Sequence, residues 1–360
     1  MSHTTSSIPI VPERPLPTPA ELWQRFPVDD SRGTVITAAR KAVAACLEGR
    51  DDRLLVVAGP CSMDDPEAAL EYGLRLRELS SAFGESLLVV MRAYFEKPRT
   101  RLGWKGAIHD PRMDGSDRLD EGLSRARQLL WELSGLGLPL ASELLDPLCT
   151  PFIADLLSWV AVGARTSESQ VHRELASGLS SPVGFKNGTD GEFRAAIDAI
   201  MSARAAHTCL GIDALGRAVV RRTDGNGKAH LVLRGGRSGP NYQRCEEAHR
   251  LLAKEGAALK VVVDCSHDNS GKRPERQSVV AAELSELLVA GGSALGGVMF
   301  ESHLVAGRQD LRPGTRRRFG QSVTDACMDL RETERCFELL ARAVRARRRS
   351  MVGTWCESSL

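Results

Sequence analysis

The chain lacks the features of several large protein classes. Its nine cysteines lie at scattered positions without a CxxC pair, which fits a reducing cytoplasm rather than a disulfide framework. Residues 1–19 are polar and proline-rich and lack the charged-then-apolar plan of a signal peptide. No apolar run is long enough to span a bilayer. We therefore expect a cytoplasmic protein that makes no membrane contact.

Several common catalytic and binding signatures are also missing. The chain has no Walker A loop, no GxGxxG fingerprint and no Ser/His/Asp order of a known hydrolase class, which disfavours nucleotide hydrolysis and hydride transfer. The net charge is only +2, so nothing global indicates nucleic-acid binding. An arginine-rich stretch at 345–349 could contact an acidic partner, although a solvated helix end is the simpler explanation.

What the sequence does contain is a series of short apolar runs, each followed by a residue suited to chemistry. The runs cover 54–59, 87–91, 138–142, 159–164, 182–185, 231–233, 260–264 and 296–300. The residues that end or follow them are Cys61, Arg92, Glu143, Arg165, Lys186, Arg234, His267 and Glu301. Strands that alternate with helices form parallel sheets, and a (β/α)8 TIM barrel keeps its active site at the carboxyl ends of its strands. The pattern therefore predicts an α/β barrel with one convergent site.

The remaining segments predict extensions around this barrel. Residues 1–50 form an N-terminal arm with helices, one of them capped at Thr18 and another over 33–47. The catalytic barrel covers 51–345, and 346–360 form a basic tail. A glycine-punctuated, β-prone stretch at about 208–230 predicts a β-hairpin inserted before the sixth barrel strand. Because a hairpin adds nothing to a barrel, we expect it to serve assembly or regulation.

Four residues suggest a metal site. Cys61, His267, Glu301 and Asp325 offer a thiolate, an imidazole and carboxylates, which together suit borderline divalent ions such as Mn, Fe, Co or Zn. They lie far apart in sequence, and only the barrel would bring them together. The alternatives are a small buried cysteine, a hydrogen-bonded loop histidine, and ordinary surface or capping acids.

A set of cations suggests an anionic substrate. Its members are Arg92, Lys97, Arg99, Arg165, Lys186 and Arg234. Guanidinium groups bind carboxylate and phosphate oxygens in bidentate fashion, and so many cations at one barrel mouth would repel one another without a polyanion. Scattered surface salt bridges are the alternative. Several of the cations follow directly on apolar runs, beside glycines that let backbone N–H groups approach an oxyanion, and this favours a site.

Longer motifs carry a family resemblance. They are Gly59-Pro60-Cys61-Ser62, Arg92-Ala93-Tyr94-Phe95-Glu96-Lys97-Pro98-Arg99-Thr100, Gly103-Trp104-Lys105-Gly106, Gly163-Ala164-Arg165-Thr166, Gly184-Phe185-Lys186-Asn187-Gly188-Thr189-Asp190-Gly191, Leu233-Arg234-Gly235-Gly236, Asp264-Cys265-Ser266-His267 and Thr324-Asp325-Ala326-Cys327. In this order, and over roughly residues 15–345, the chain closely resembles type I 3-deoxy-D-arabino-heptulosonate-7-phosphate (DAHP) synthases. Such enzymes condense phosphoenolpyruvate with erythrose 4-phosphate at the entry to the shikimate pathway of aromatic amino acid biosynthesis.

The resemblance implies roles for individual residues. It implies that the four metal candidates bind a divalent ion, with Mn preferred to Fe, Co or Zn. The residues it places around phosphoenolpyruvate are Arg92, Lys97, Glu143, Ala164, Arg165, Lys186 and Arg234. Arg99 and Thr100 would hold the phosphate end of the aldose. We take Lys97 as the candidate proton donor to the aldehyde-derived oxygen, and Glu143 as the group that helps to position water.

The sequence indicates less about regulation and assembly than about catalysis. In this family an aromatic amino acid often binds near the arm, the hairpin and the Leu179–Ser180 turn. Cys209 stands where phenylalanine-sensitive relatives carry phenylalanine, which leaves tyrosine, tryptophan or no effector open. The resemblance implies a homodimer or homotetramer. Alternatives to a primary-metabolic enzyme are a paralogue dedicated to specialised metabolism, a related condensation with another sugar phosphate, and a non-catalytic regulatory homologue.

Overall fold

Eight parallel strands close into a barrel, as the apolar runs predict. The computed structural model describes residues 15–99, 101–311 and 317–357, with side chains as far as residue 350. The barrel strands are β1 (Leu54–Gly59), β2 (Leu87–Arg92), β3 (Leu140–Glu143), β4 (Trp159–Val162), β5 (Val183–Lys186), β8 (Ala229–Leu233), β9 (Val261–Asp264) and β10 (Leu295–Glu301). Their order around the barrel is β1-β10-β9-β8-β5-β4-β3-β2, and each pairing is parallel. The (β/α)8 prediction is confirmed.

Helices alternate with these strands along the chain. They are α1 (Pro19–Arg25), α2 (Asp30–Glu48), α3 (Pro66–Phe83), α4 (Leu119–Gly135), α5 (Thr150–Ile153), α6 (Gln170–Ser177), α7 (Arg194–Ala203), α8 (Cys245–Lys254), α9 (Gln277–Val289) and α10 (Leu330–Glu357). Short 3-10 turns occur at Pro147–Cys149, Ala154–Leu156, Tyr242–Arg244, His267–Asn269 and Pro274–Arg276. The predicted cap is present: Thr18 Oγ1 accepts the Glu21 N–H at 3.2 Å, and the Glu21 carboxylate accepts the Thr18 N–H at 2.6 Å.

The alternation of side chains along the strands decides which residues reach the barrel interior. In β9, Val261 and Val263 belong to the cluster packed between the strands and the helices, whereas Val262 belongs to the cluster inside the barrel. Since successive strand residues point to opposite faces, Asp264 also points inward. A Cβ at Gly184 would face Trp159 and Val232 of the inner cluster, so the same rule places Lys186, two residues later, inside the barrel.

The amino end of the barrel is closed by α2. Val43, Cys46 and Leu47 pack in one buried cluster with Leu55 and Trp159. Residues 1–50 therefore include a structural plug, in addition to whatever part they have in assembly or regulation. Residues 1–14 of the predicted arm lie outside the described residues.

The inserted hairpin precedes the sixth barrel strand as expected, but its boundary differs from the prediction. The antiparallel strands β6 (His207–Ile212) and β7 (Ala218–Thr223) form it, and α1 contacts its turn through the Ala20 N–H and the Ala214 carbonyl at 2.9 Å. Residues 229 and 230 belong to β8 instead, because His230 is buried inside the barrel. The hairpin strands therefore cover 207–223, against a predicted range of about 208–230. A third strand pair joins β11 (Val305–Arg308) to β12 (Gln321–Ser322).

The basic C-terminal segment is a continuation of α10 rather than a tail separate from the barrel domain. The Arg348 guanidinium binds the Asp52 carboxylate at 2.6 and 2.7 Å and the Glu85 carbonyl at 2.9 Å, and Arg347 donates to the Asp52 carbonyl. The tail prediction is corrected for this reason: part of the positive charge is held against the amino end of the barrel. Within the described residues, every helix is too short or too polar to cross a membrane.

Candidate active site

A cavity of about 470 Å³ opens at the carboxyl ends of the barrel strands. It is lined by Arg92, Lys97, Pro98, Arg99, Arg101, Leu102, Glu143, Arg165, Arg234, His267, Lys272, Thr324 and Asp325. Most of the predicted chemical residues therefore face one space, although they come from distant parts of the chain. Arg101 and Lys272 are not among the predicted residues, and Thr324 entered only as part of the motif Thr324-Asp325-Ala326-Cys327.

Cys61 lies next to Lys97, which lines the large cavity. Its side chain is fully buried, and the Lys97 ammonium lies 3.0 Å from its Sγ atom and 2.9 Å from its carbonyl oxygen. Burial raises the pKa of the Cys61 thiol, the nearby Glu301 carboxylate adds to this effect, and Lys97 opposes it. A thiol held against a cation in this way can become a thiolate when a divalent ion replaces its proton.

Arg92 and Glu301 form a buried ion pair beside this thiol. Arg92 Nη2 lies 2.8 Å from Glu301 Oε1, and the guanidinium stacks 3.6 Å above the Tyr94 ring. Burial, the largest single influence, would raise the pKa of Glu301, but Arg92, His267 and Lys97 together outweigh it and hold that pKa below its usual range. Gln277 fixes the backbone of the same residue, since its amide binds both the Glu301 N–H and the Glu301 carbonyl.

Three of the four metal candidates come together. One ligand atom each from Cys61, Glu301 and Asp325 lies within 4.8 Å of the others. A thiolate and two carboxylates are a donor set that suits borderline divalent ions, so the residues fit a metal of the predicted class. Lys97 lies against Cys61, and Arg92 pairs with Glu301. These two cations offset part of the negative charge that a thiolate and two carboxylates carry.

His267 lies beside this cluster and is not part of it. It lines a small cavity together with Glu301 and Asp325, but its Nδ1 atom lies 2.9 Å from Asp264 Oδ2 and 2.7 Å from Ser266 Oγ. Its backbone is left-handed, with φ of 53°. Non-glycine residues rarely adopt this conformation, which costs about 1 kcal/mol or more and is typical of functional positions.

A second, smaller cavity of about 60 Å³ continues from the first. It is lined by Pro98, Glu143, Leu145, Gly163, Ala164, Arg165, Thr166, Lys186, Thr189, Arg234 and His267. Within the described part of the chain, Glu143 Oε1 is buried without a hydrogen-bond partner. A Cβ atom at Gly163 would lie 2.6 Å from this oxygen, so glycine is needed for Glu143 to occupy its place. A buried, unpaired carboxylate oxygen in a polar cavity is suited to accept a hydrogen bond from water or substrate.

A network of amides positions Arg234. The side-chain Oδ1 of Asn187 accepts the Arg234 backbone N–H at 2.8 Å, and the Arg234 guanidinium pairs with Asp268. Gly235 has φ of 75°, and a Cβ there would lie 2.6 Å from the Asn269 nitrogen. The turn after β8 therefore requires glycine, and it directs Arg234 into the cavity.

The aldose-side candidates are only partly defined. Arg99 is exposed at the rim of the large cavity, where its Nε atom donates to the Trp104 carbonyl at 2.7 Å. Thr100 lies outside the described residues.

The candidate effector residues lie away from the barrel mouth. Leu179 and Ser180 follow α6, and Ser180 Oγ accepts a hydrogen bond from Arg40 at 2.8 Å. Cys209 is half-buried in β6, where it pairs with Arg221 of β7. Arg40 of α2 and the strand β6 of the hairpin thus contribute to this region.

Comparison with known proteins identifies the family behind this arrangement. The model of the DAHP synthetase I family matches residues 27–338. The chain belongs to the DAHP synthetase I family. This match covers every barrel strand and all the candidate metal and substrate residues.

Relatives support this membership along nearly the whole chain. The Phe-sensitive phospho-2-dehydro-3-deoxyheptonate aldolase of Escherichia coli K12 is 47% identical over 97% of this chain and 100% of its own length. A Trp-sensitive relative from Enterobacter agglomerans is 50% identical over 91% of this chain and 94% of its own length. The solved phospho-2-dehydro-3-deoxyheptonate aldolase of Francisella tularensis SCHU S4 is 44% identical, has a TM-score of 0.91, and aligns over 94% of this chain and 99% of its own.

Proposed function

We propose that this chain condenses phosphoenolpyruvate with D-erythrose 4-phosphate and water to give 3-deoxy-D-arabino-heptulosonate 7-phosphate and phosphate. Its membership in the DAHP synthetase I family makes it an enzyme of the first step of aromatic amino acid biosynthesis. The observation that carries the assignment to this particular site is the meeting of anion-binding cations and a thiol–carboxylate cluster at one barrel mouth.

The family is metal-dependent, and we propose Mn²⁺ as the ion, with Fe, Co and Zn as alternatives. Cys61, Glu301 and Asp325 would hold it, and His267 would complete the set. When bound, a divalent ion supplies Lewis-acid polarisation of a substrate oxygen.

The cations of the site bind the two anionic substrates. Arg92, Arg165, Lys186 and Arg234 would hold the carboxylate and phosphate of phosphoenolpyruvate beside Ala164, because bidentate guanidinium contacts match both groups; their position along the two cavities supports this. Arg99 and Thr100 would bind the phosphate of the aldose at the rim. Fixing both reactants in this way converts a bimolecular encounter into a reaction within one complex.

Two side chains then manage protons and water. The methylene carbon of phosphoenolpyruvate attacks the aldehyde carbon, and Lys97 gives a proton to the resulting alkoxide oxygen. Water adds to the cationic carbon next to the new bond, positioned by the unpaired Glu143 oxygen, to which it can donate a hydrogen bond. The hemiketal phosphate finally loses phosphate by cleavage of its C–O bond.

The identity of the aldose decides between this reaction and its sister condensation. We would strip the protein of metal and measure phosphoenolpyruvate consumption with and without Mn²⁺, offering erythrose 4-phosphate or arabinose 5-phosphate. Mn²⁺-dependent consumption with erythrose 4-phosphate alone is expected. Consumption only with arabinose 5-phosphate would replace the proposed substrate, and none with either sugar in folded protein would favour a regulatory homologue.

Assembly, location and control complete the proposal. We place the enzyme in the cytoplasm as a homodimer or homotetramer, with Leu179, Ser180 and Cys209 near an aromatic amino acid site. Relatives named Phe-, Trp- and Tyr-sensitive are 47%, 50% and 46% identical, so overall identity does not select an effector. Inhibition by each aromatic amino acid tests this point, and resistance to all of them would favour a paralogue of specialised metabolism.

A further inference from the structure

Asp264 is a buried acid at the carboxyl end of β9, and the chemistry proposed above does not use it. Its side chain is fully inaccessible. Oδ2 lies 2.9 Å from His267 Nδ1 and 3.1 Å from Lys186 Nζ. Oδ1 accepts from the Ser266 hydroxyl at 2.6 Å and from its backbone N–H at 3.0 Å. One carboxylate thus touches a metal candidate and a phosphoenolpyruvate candidate at once.

The position of this carboxylate is fixed by the barrel rather than by a loop. Asp264 is the last residue of β9 and follows the inward-facing Val262 by two positions. Its carbonyl accepts from the Asn269 amide at 2.8 Å, which ties the following turn back to the strand. Because the backbone is fixed on both sides of the Asp264 Cα atom, its carboxylate can hold neighbouring side chains in position.

Asp264 is fully buried, and its carboxylate is surrounded by partners. His267 Nδ1 and Lys186 Nζ lie within 3.1 Å of Oδ2, and Ser266 donates two hydrogen bonds to Oδ1. An ionised carboxylate in such a place is tolerated only when it is paired. Since its two partners are themselves site residues, the requirement for pairing also constrains where they can sit.

The contact has a specific consequence for His267. Nδ1 is hydrogen-bonded to Ser266 Oγ and lies at ion-pair distance from Asp264 Oδ2, which leaves Nε2 as the remaining ligand nitrogen of the ring. Histidine ligands of metals commonly bind a carboxylate through the second nitrogen, which fixes the ring and raises its basicity. His267 already lines one small cavity with Glu301 and Asp325.

We propose that Asp264 is a positioning residue that couples the two halves of the site, holding His267 for the metal and Lys186 for phosphoenolpyruvate through one carboxylate oxygen. This inference rests on the proposed function, and it adds a residue that acts through its neighbours. This role explains why an acid, and not another cation, lies next to the groups that would bind the anionic substrate.

The test replaces Asp264 by asparagine, which preserves shape and removes charge. Asp155→Asn is the matched control, because Asp155 also pairs with a buried cation, Arg127, at 2.8 and 2.9 Å, but outside the barrel. In each variant we would titrate metal-stripped protein with Mn²⁺ by calorimetry, in the absence of substrate. We would then measure the KM for phosphoenolpyruvate at saturating Mn²⁺.

For Asp264→Asn we expect Mn²⁺ affinity to fall by roughly 10- to 100-fold, as for other residues that orient ligands, together with a raised KM for phosphoenolpyruvate. Asp155→Asn should lower the unfolding temperature and leave both quantities unchanged. Mn²⁺ affinity and KM within twofold of wild type in Asp264→Asn, or equal changes in the control, would overturn the proposal.

A double-mutant cycle with Lys186→Met separates coupling from general damage. We expect the effects of Asp264→Asn and Lys186→Met on KM to be non-additive, whereas additive effects would contradict a shared contact. If Asp264→Asn alone does not fold, the double variant removes both charges and supplies the Mn²⁺ titration instead. Because that titration needs no turnover, wild-type protein that binds Mn²⁺ but consumes no substrate would defeat the proposed function and leave this test intact.

Discussion

The amino end of the barrel interior is apolar and the carboxyl end is polar, although the same strands form both. At the amino end, α2 and the inward side chains form an apolar plug, in which Trp159 Nε1 donates to His230 Nε2 at 3.1 Å. At the carboxyl end, the continuation of those strands carries Lys186 and Arg234 into a polar cavity. The plug stabilises the barrel, and the mouth holds buried charges that favour binding over stability. Substitutions at the two ends should therefore separate stability from activity.

Shortening a large buried side chain in the plug should have the largest effect on stability. Trp159→Ala empties a fully buried indole, which costs about 3–5 kcal/mol, while the turnover of each folded molecule stays near wild type. Chemical denaturation and an assay corrected for folded fraction check both halves of this prediction. Trp23→Ala, at a partly exposed ring, is the control and should cost much less. Loss of turnover in folded Trp159→Ala protein would contradict the separation.

The opposite result is expected at the mouth. Glu143→Gln keeps the shape of a buried side chain whose Oε1 has no partner among the described residues, so the free energy of unfolding should change little. Turnover should fall by about 10²- to 10⁴-fold if the carboxylate positions water. Steady-state kinetics and denaturation of this variant are compared with the exposed Glu78→Gln. A variant that is unstable but fully active would reverse the assignment.

The free energy of unfolding should depend on pH through His230, which lies in the plug. Burial lowers the pKa of His230 to about 4, so the imidazole is neutral in the folded protein. The unfolded chain binds the proton near pH 6.5; stability is therefore complete above that value and is lost as pH falls toward 4, by up to about 3 kcal/mol. His230→Gln should flatten the unfolding free energy over this window, measured by urea denaturation at each pH. Parallel curves for the two proteins would refute the role of His230.

A smaller effect is expected from crowding the plug. A Cβ at Gly184 would lie 2.5 Å from Trp159 Cζ2 and 2.6 Å from Val232 Cγ2, so Gly184→Ala should cost about 1–3 kcal/mol. Gly227→Ala has open space around its Cβ and should change stability by less than about 0.5 kcal/mol. Equal unfolding midpoints for the two variants would show that the plug can relax.

Much of this comparison could be predicted from the sequence, because barrel strands are local signals. Short apolar runs ending in Arg92, Lys186 and Glu301 marked both the strands and the functional edge, and the Thr18 cap marked the start of α1. The residues of the metal cluster were also predicted, but their convergence depended on the barrel and on a family resemblance.

Other features depend on packing that no local pattern records. Asp264 is the last residue of an apolar run that indicates His267 as the functional residue, and only strand alternation marks Asp264 itself as inward-facing. The orientation of His267 follows from its contact with Asp264 and could not be read from spacing. The course of α10 to Glu357 is set in part by Arg348 binding Asp52, which lies far away in the sequence.

The most direct test of the central claim compares two lysines. Lys97→Met removes the proposed proton donor at the mouth, whereas Lys41→Met removes an exposed lysine on α2. Both proteins would be reconstituted with Mn²⁺ and assayed for bound metal and for phosphoenolpyruvate consumption with erythrose 4-phosphate. We predict that Lys97→Met retains its metal and loses most of its turnover, by about 10²- to 10⁴-fold, while Lys41→Met matches wild type. Unchanged turnover in Lys97→Met would contradict the account.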